Sequence, residues 1–142
     1  MKRLISKNTG FTLLEVVVAV SILTVGLLAI ATLQGAAIKG NNSATTNTIA
    51  ATVATDRMEK LMALDLNSQE LQDSDNDGQN GLSDTGSDAD HALMGQVISG
   101  RSFNIFWNVA EDTPNSGNKT IGLVVTWNDR GRTRKLEITQ VR

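Results

Sequence analysis

The chain has 142 residues, enough for one domain and an anchoring segment. It contains no cysteine, which excludes disulfides, zinc–thiolate centres and a cysteine nucleophile. The formal net charge of −2 argues against general nucleic-acid binding, and no motif flanks the single histidine, so neither a nucleic-acid partner nor an enzymatic activity is expected.

The first residues are basic, with Lys2, Arg3 and Lys7 ahead of Gly10. An apolar run of about 23 residues follows, Phe11 to Leu33, and its one ionised side chain is Glu15. As a helix it spans roughly 35 Å, sufficient to cross a bilayer. Positive charge flanks only its N-terminal side, which keeps the leader cytoplasmic and sends the rest across. The run is too long for a secretory signal peptide, and the glycine precedes it instead of following it. An ordinary signal anchor explains the run but neither Glu15 nor Gly10-Phe11. A carboxylate within such a run costs roughly 2.5–3.5 kcal/mol at a bilayer centre and less near an edge.

Gly10, Phe11 and Glu15, placed between a short basic leader and a membrane-length apolar run, resemble the processing signature of the type IV prepilin family. The resemblance covers residues 1 to about 66. It implies cleavage after Gly10 by a prepilin peptidase, N-methylation of the new terminal Phe11, and a role for Glu15 in guiding assembly with other pilin or pseudopilin subunits. Removing the leader would make the remainder more acidic by the charges of Lys2, Arg3 and Lys7. Many pilins carry a C-terminal disulfide loop; this chain cannot, so its folded part must be held by packing, hydrogen bonds or a metal.

The helix is expected to continue from Gln34 to Leu66. Ile49, Val53, Met58, Leu61, Met62 and Leu64 keep to one side of a 3.6-residue repeat, with Asp56, Arg57, Glu59 and Lys60 between them. Gly26, Gly35 and Gly40 each weaken it by about 1 kcal/mol relative to alanine. Gly35 and Gly40 mark either soft spots or points of close helix–helix approach.

Residues 67–92 are rich in Asn, Ser, Asp and Gly and form a loop or an ordered ion site. Asp73-Ser74-Asp75-Asn76-Asp77-Gly78, with Asp84 at the twelfth position, has the form of an EF-hand-type calcium loop. Calcium takes six to eight oxygens at about 2.3–2.6 Å, and carboxylates at positions 1, 3 and 5 can converge on one centre. The expected ligands are Asp73, Asp75, Asp77, the backbone carbonyl of Gln79 and Asp84. Position 9 is Gly81, able to contribute only through water. Two departures from the motif stand out: Asp84 is shorter than the usual glutamate, and Asn80 occupies an apolar position. The competing reading is an acidic solvated linker. Asp88 and Asp90 lie apart from the motif and either add ligands or serve as solubilising loop residues, the second being favoured, and His91 reads as a solvated loop residue.

Strand patterning follows. Phe103, Ile105, Trp107 and Val109 alternate with Ser102, Asn104, Phe106 and Asn108, and Ile121, Leu123, Val125 and Trp127 alternate with Gly122, Val124, Thr126 and Asn128. A period of two predicts strands with one buried face. Residues 112–118 read as a connecting loop and 128–132 as a hairpin turn. Leu136 and Ile138 carry a last strand, and a weaker one lies at 93–98. Arg130, Arg132, Arg134 and Lys135 cluster at the last hairpin and read as edge-protecting charge rather than a DNA contact.

The expected fold class is α+β. It is pilin-like, a long N-terminal helix whose second half packs on an antiparallel sheet of three to four strands. The expected organisation is a leader at 1–10, a transmembrane and assembly half of the helix at 11–33, its amphipathic half at 34–66, and a globular region at 67–142. The order of residues after Glu15, with Asp56-Arg57-Met58 further on, is similar to the PilV class of minor pilins, the type IV pilus modification proteins. That resemblance implies a minor pilin that joins or primes a type IV pilus. It would reside in the bacterial inner membrane with a periplasmic C-terminal region before assembly, and on the cell surface afterwards. A minor pseudopilin of a type II secretion system is the alternative. A second alternative is a membrane-anchored calcium-binding or adhesive module that does not polymerise.

Overall fold

The computed structural model describes residues 10–142. Lys2, Arg3 and Lys7 of the expected leader lie outside the described residues.

A single long helix, α1, runs Leu13–Ala63. Its start is set by Thr12-Leu13-Leu14-Glu15, the spacing of a capping box. The Glu15 N–H reaches the Thr12 hydroxyl at 3.3 Å and the Thr12 carbonyl at 3.0 Å. Phe11 therefore precedes the helix, and the expected helical boundary at residue 11 moves to Leu13. The far end is Ala63, with Leu64 closing a turn onto the Leu61 carbonyl at 3.2 Å. The helix continues through Gly26, Gly35 and Gly40 without interruption, so neither Gly35 nor Gly40 unwinds it here.

The chain forms two compact units, one up to Asn42 and one spanning Ser43–Arg142. In the first, the apolar side chains of α1 are exposed, including Leu13, Leu14, Ile22, Val25 and Leu28. By length and composition this helix can cross a membrane. The hydroxyls of Ser21 and Thr24 donate to the carbonyls of Val17 and Val20 at 2.8 and 2.7 Å, so these polar groups are satisfied within the apolar run.

In the second unit, α1 buries Thr46, Ala50, Val53, Ala54, Met58 and Leu61, one stripe of a 3.6-residue repeat. Ile49, Met62 and Leu64 pack partly buried beside it. The stripe meets a four-stranded antiparallel sheet in the order β1-β2-β3-β4: β1 His91–Ile98, β2 Arg101–Glu111, β3 Lys119–Asp129 and β4 Arg132–Val141. Both short connections are two-residue turns with positive φ at each position, Ser99-Gly100 and Arg130-Gly131. That turn type matches the right-handed twist of paired strands. β1 carries a bulge between Leu93 and Gln96, where the Gly95 N–H bonds the Asn104 side chain at 2.9 Å. The helix-facing core is Phe103, Ile105, Trp107, Val109, Ile121, Leu123, Val125 and Trp127, with Leu71 from the segment after the helix.

The expectation of one buried face fails for the central strands. Phe106, Asn108, Ala110, Thr120 and Val124 on the opposite face are buried as well. The reason is the acidic segment, which lies over that face. The Leu82 carbonyl rests against Gly122 so closely that an added Cβ would meet its oxygen at 2.1 Å.

Candidate functional site

The first site is the head of α1. Gly10 is exposed and Phe11 is 82% exposed, directly before the Thr12 cap. Glu15, also exposed, sits in the first helical turn, where the helix dipole favours a negative charge. Because α1 begins at Leu13, Phe11 and Glu15 do not share a helical face in the way a four-residue spacing within a helix would imply. Thr12 is the residue that sequence reasoning missed. Its signal was legible as T-x-x-E ahead of an apolar run.

The second site is the acidic segment. It contains two short 3-10 turns, Gln69–Leu71 and Gly78–Asn80, and is hydrogen-bonded along its length. Asp73 accepts the Asn76 N–H at 2.7 Å and the Gly78 N–H at 3.0 Å, one on each carboxylate oxygen. Asp75 accepts the Asp77 N–H at 3.2 Å. Asn76 and Gly78 both adopt positive φ, so the chain winds tightly around these carboxylates. Carboxylate oxygens of Asp75, Asp77 and Asp84 lie within 4.8 Å of one another, and so do those of Asp73, Asp75 and Asp90. Partial burial first, then the charges of Asp75, Asp84 and Asp73, push the Asp77 carboxyl up to about 6. Like-charged groups gathered in this way can share a proton or a cation. Gln79 is exposed within the second 3-10 turn.

The segment is anchored to β2 by Asp90 and Asn108, which corrects the reading of Asp90 as a solubilising residue. The Asp90 carboxylate accepts the Ser74 N–H at 2.5 Å and the Val109 N–H at 2.8 Å. It takes up a backbone donor at the point where β1 no longer pairs with β2. Asn108, only 2% exposed, accepts the Asp90 N–H at 2.9 Å and donates to the Asp84 carbonyl at 3.1 Å.

His91 is likewise not a solvated loop residue. It opens β1, stacks on Trp107 with ring centroids 5.2 Å apart, and bonds the Gln72 carbonyl at 3.0 Å. The Arg57 guanidinium lies 4.1 Å from the centre of the Trp107 ring and pairs with Glu70 at 2.5 Å. The Trp107 indole N–H donates to the Glu70 carbonyl at 2.9 Å. Together these contacts fasten the start of the acidic segment to the end of α1 and to the sheet.

Residues 5–31 match the family model described as the prokaryotic N-terminal methylation motif. Neither a curated protein nor a solved structure matches the chain. The matched residues include Gly10, Phe11 and Glu15, and the exposed apolar stretch of α1 fits membrane anchoring. The chain therefore carries the type IV prepilin signature, the mark of pilin- and pseudopilin-type proteins that a prepilin peptidase processes.

Proposed function

We propose that this protein is a minor pilin, cleaved after Gly10, methylated on Phe11, and incorporated into a type IV pilus or its priming complex. The observation that carries the reading is the methylation motif at residues 5–31, whose residues from Leu13 onward begin a 51-residue helix with exposed apolar side chains in its first part. Such a segment is stable in lipid, and equally against the matching segments of neighbouring subunits. Transfer from one environment to the other therefore costs little apolar burial. Glu15 supplies direction, because its carboxylate is poorly solvated in lipid and is relieved by a cation on a neighbour, such as a processed N-terminal amine. The order of residues after Glu15 favours a minor pilin over a minor pseudopilin. Mass spectrometry of the mature N-terminus, combined with isolation of sheared pili, tests the reading. A terminus at N-methyl-phenylalanine and recovery in the pilus fraction are expected. Recovery only with a secretion complex would favour the pseudopilin, and an uncleaved Met1 terminus would favour the anchored module.

We further propose that the acidic segment binds calcium. The support is the convergence of Asp75, Asp77 and Asp84, with Asp73 shaping the turn around them. Calcium would neutralise the mutual repulsion of these carboxylates and tie the segment down over the sheet, in a chain that has no disulfide to do so. Isothermal calorimetry on the purified full chain tests this. Saturable heat with calcium that vanishes in Asp75→Ala/Asp77→Ala is expected, and no heat would reject it.

A further inference from the structure

The cluster of Arg130, Arg132, Arg134 and Lys135 finds no use in assembly or calcium binding, yet two of its members, Arg134 and Lys135, line a cavity together with Trp127, whose indole N–H lacks an acceptor among the described residues. The cavity, about 260 Å³, is lined by Ser43 and Asn47 of α1, Trp127 and Asp129 of β3, and Arg134, Lys135 and Leu136 of β4. That is far more than the about 10–15 Å³ needed to admit one water. Trp127 is 6% exposed, and its indole N–H is buried without a hydrogen-bond partner among the described residues. An indole nitrogen can only donate, so what it lacks is an acceptor. The sheet register pairs Trp127 with Arg134, so the two side chains leave the sheet on the same face.

Neighbouring charges are already engaged. The Ser43 hydroxyl donates to Asp129 at 3.0 Å, and Arg130 stands 3.9 Å from the same carboxylate. Lys135 pairs with Glu137 at 2.5 Å. Among the described residues, no hydrogen bond or ion pair engages the Arg134 guanidinium. Of the charged residues that line the cavity, Arg134 and Lys135 are cationic and Asp129 is anionic, and Asp129 already accepts from Ser43.

We propose that this cavity binds a phosphate oxyanion, held by the Trp127 indole N–H and the fork of Arg134. Guanidinium matches the planar, two-pronged spacing of phosphate oxygens, and an oxyanion is the acceptor that the indole lacks. The phosphate is either free or the headgroup of a phospholipid.

The test uses the ¹⁵N-labelled full chain in a sugar-headed, phosphate-free detergent. The chain has two tryptophans, hence two indole N–H signals, and Trp127→Phe identifies which belongs to Trp127. Inorganic phosphate, titrated at constant ionic strength with chloride as balance, should shift the Trp127 signal saturably and leave the Trp107 signal in place. Arg134→Gln, an exposed position where folding is not at stake, should raise the half-saturating phosphate concentration about tenfold. A parallel sample in phosphatidylglycerol bicelles without free phosphate distinguishes the source. A Trp127 shift there that Arg134→Gln abolishes identifies the lipid headgroup. The proposal is overturned if neither phosphate nor the lipid moves the Trp127 signal, if chloride alone moves it equally, or if Arg134→Gln changes nothing.

Discussion

The Asp77 carboxylate lies so close to Gly81 that a Cβ added at residue 81 would stand 2.0 Å from both of its oxygens. Gly81 has an ordinary φ of −88°, so its requirement is one of space and not of backbone conformation.

Gly81→Ala should therefore displace Asp77 and cost on the order of 1–3 kcal/mol, the range for overpacking a close contact. Thermal unfolding of the single variant and of Asp77→Ala/Gly81→Ala checks this. Once the carboxylate is gone, the alanine should cost much less, and purely additive effects would show that the contact does not matter.

Asp77 also gives the stability a pH dependence of definite sign. Its folded value of about 6 lies above the ordinary 3.8, so between these limits the folded state keeps a proton that the unfolded chain has lost. Its contribution is fully present below about pH 4 and is lost as pH rises through 6. Other carboxylates titrate too, so the readout is the difference between wild type and Asp77→Asn in chelator. The variant's advantage should grow from pH 4 to pH 6.5 and then level off. Parallel curves would disprove the shift.

The apolar run, the helix, the meander and the helix-facing core were legible because they rest on local periodicity. Val53, Met58 and Leu61 lie on a 3.6-residue stripe, and Phe103 to Val109 and Ile121 to Trp127 alternate with period two. The acidic motif was legible from its spacing. What lay hidden depends on contacts distant in sequence. Burial of Phe106, Asn108 and Val124 follows from residues 72–90 crossing the second face, and nothing in the strand pattern announces that cover. Asp90 and His91 looked like loop residues because their partners, Val109 and Trp107, are contributed by another strand. Thr12 was missed although its signal was local.

The docking of the acidic segment onto β2 should be sensitive to Asn108. Its side chain is buried and makes two hydrogen bonds to the segment's backbone. Asn108→Ala leaves the Asp90 N–H and the Asp84 carbonyl without that partner, at about 1–3 kcal/mol for each group that water cannot reach. Hydrogen exchange should quicken at Asp90 and Val109 before it quickens in β3. Uniform acceleration across the sheet would mean that the segment is not a separate unit of stability.

Calcium, if bound as proposed, acts on the same segment. Binding to the folded state alone stabilises by about 2.7 kcal/mol at one hundred times Kd. Melting should rise in millimolar calcium relative to chelator and the gain should vanish in Asp75→Ala/Asp77→Ala. Because the ion must displace the Asp77 proton, the gain should also shrink below about pH 6. Magnesium should do less, since it demands tighter octahedral geometry. Equal melting with calcium and chelator at neutral pH would leave the segment held by Asp90 and Asn108 alone.

Glu15 gives the sharpest separation between anchoring and assembly. Its N–H is bound by the Thr12 cap, while its carboxylate is exposed at the head of the helix, free to meet a partner from another subunit. Glu15→Leu keeps helix propensity, removes the charge from the apolar run, and should strengthen membrane insertion. A cationic terminal amine on a neighbour would then lack its counter-charge, and a buried charge stripped of its partner costs roughly 3–5 kcal/mol. That corresponds to a loss of more than a hundredfold in incorporation. Glu15→Gln keeps the side-chain shape and separates charge from size, so it should fail nearly as badly. Thr12→Val tests the cap by itself. Losing it costs the helix about 1 kcal/mol and should reduce incorporation modestly while Glu15 remains. The measurement is the ratio of each variant in the sheared filament fraction to that in the membrane fraction. If Glu15→Leu enters filaments as well as wild type does, the carboxylate has no part in assembly.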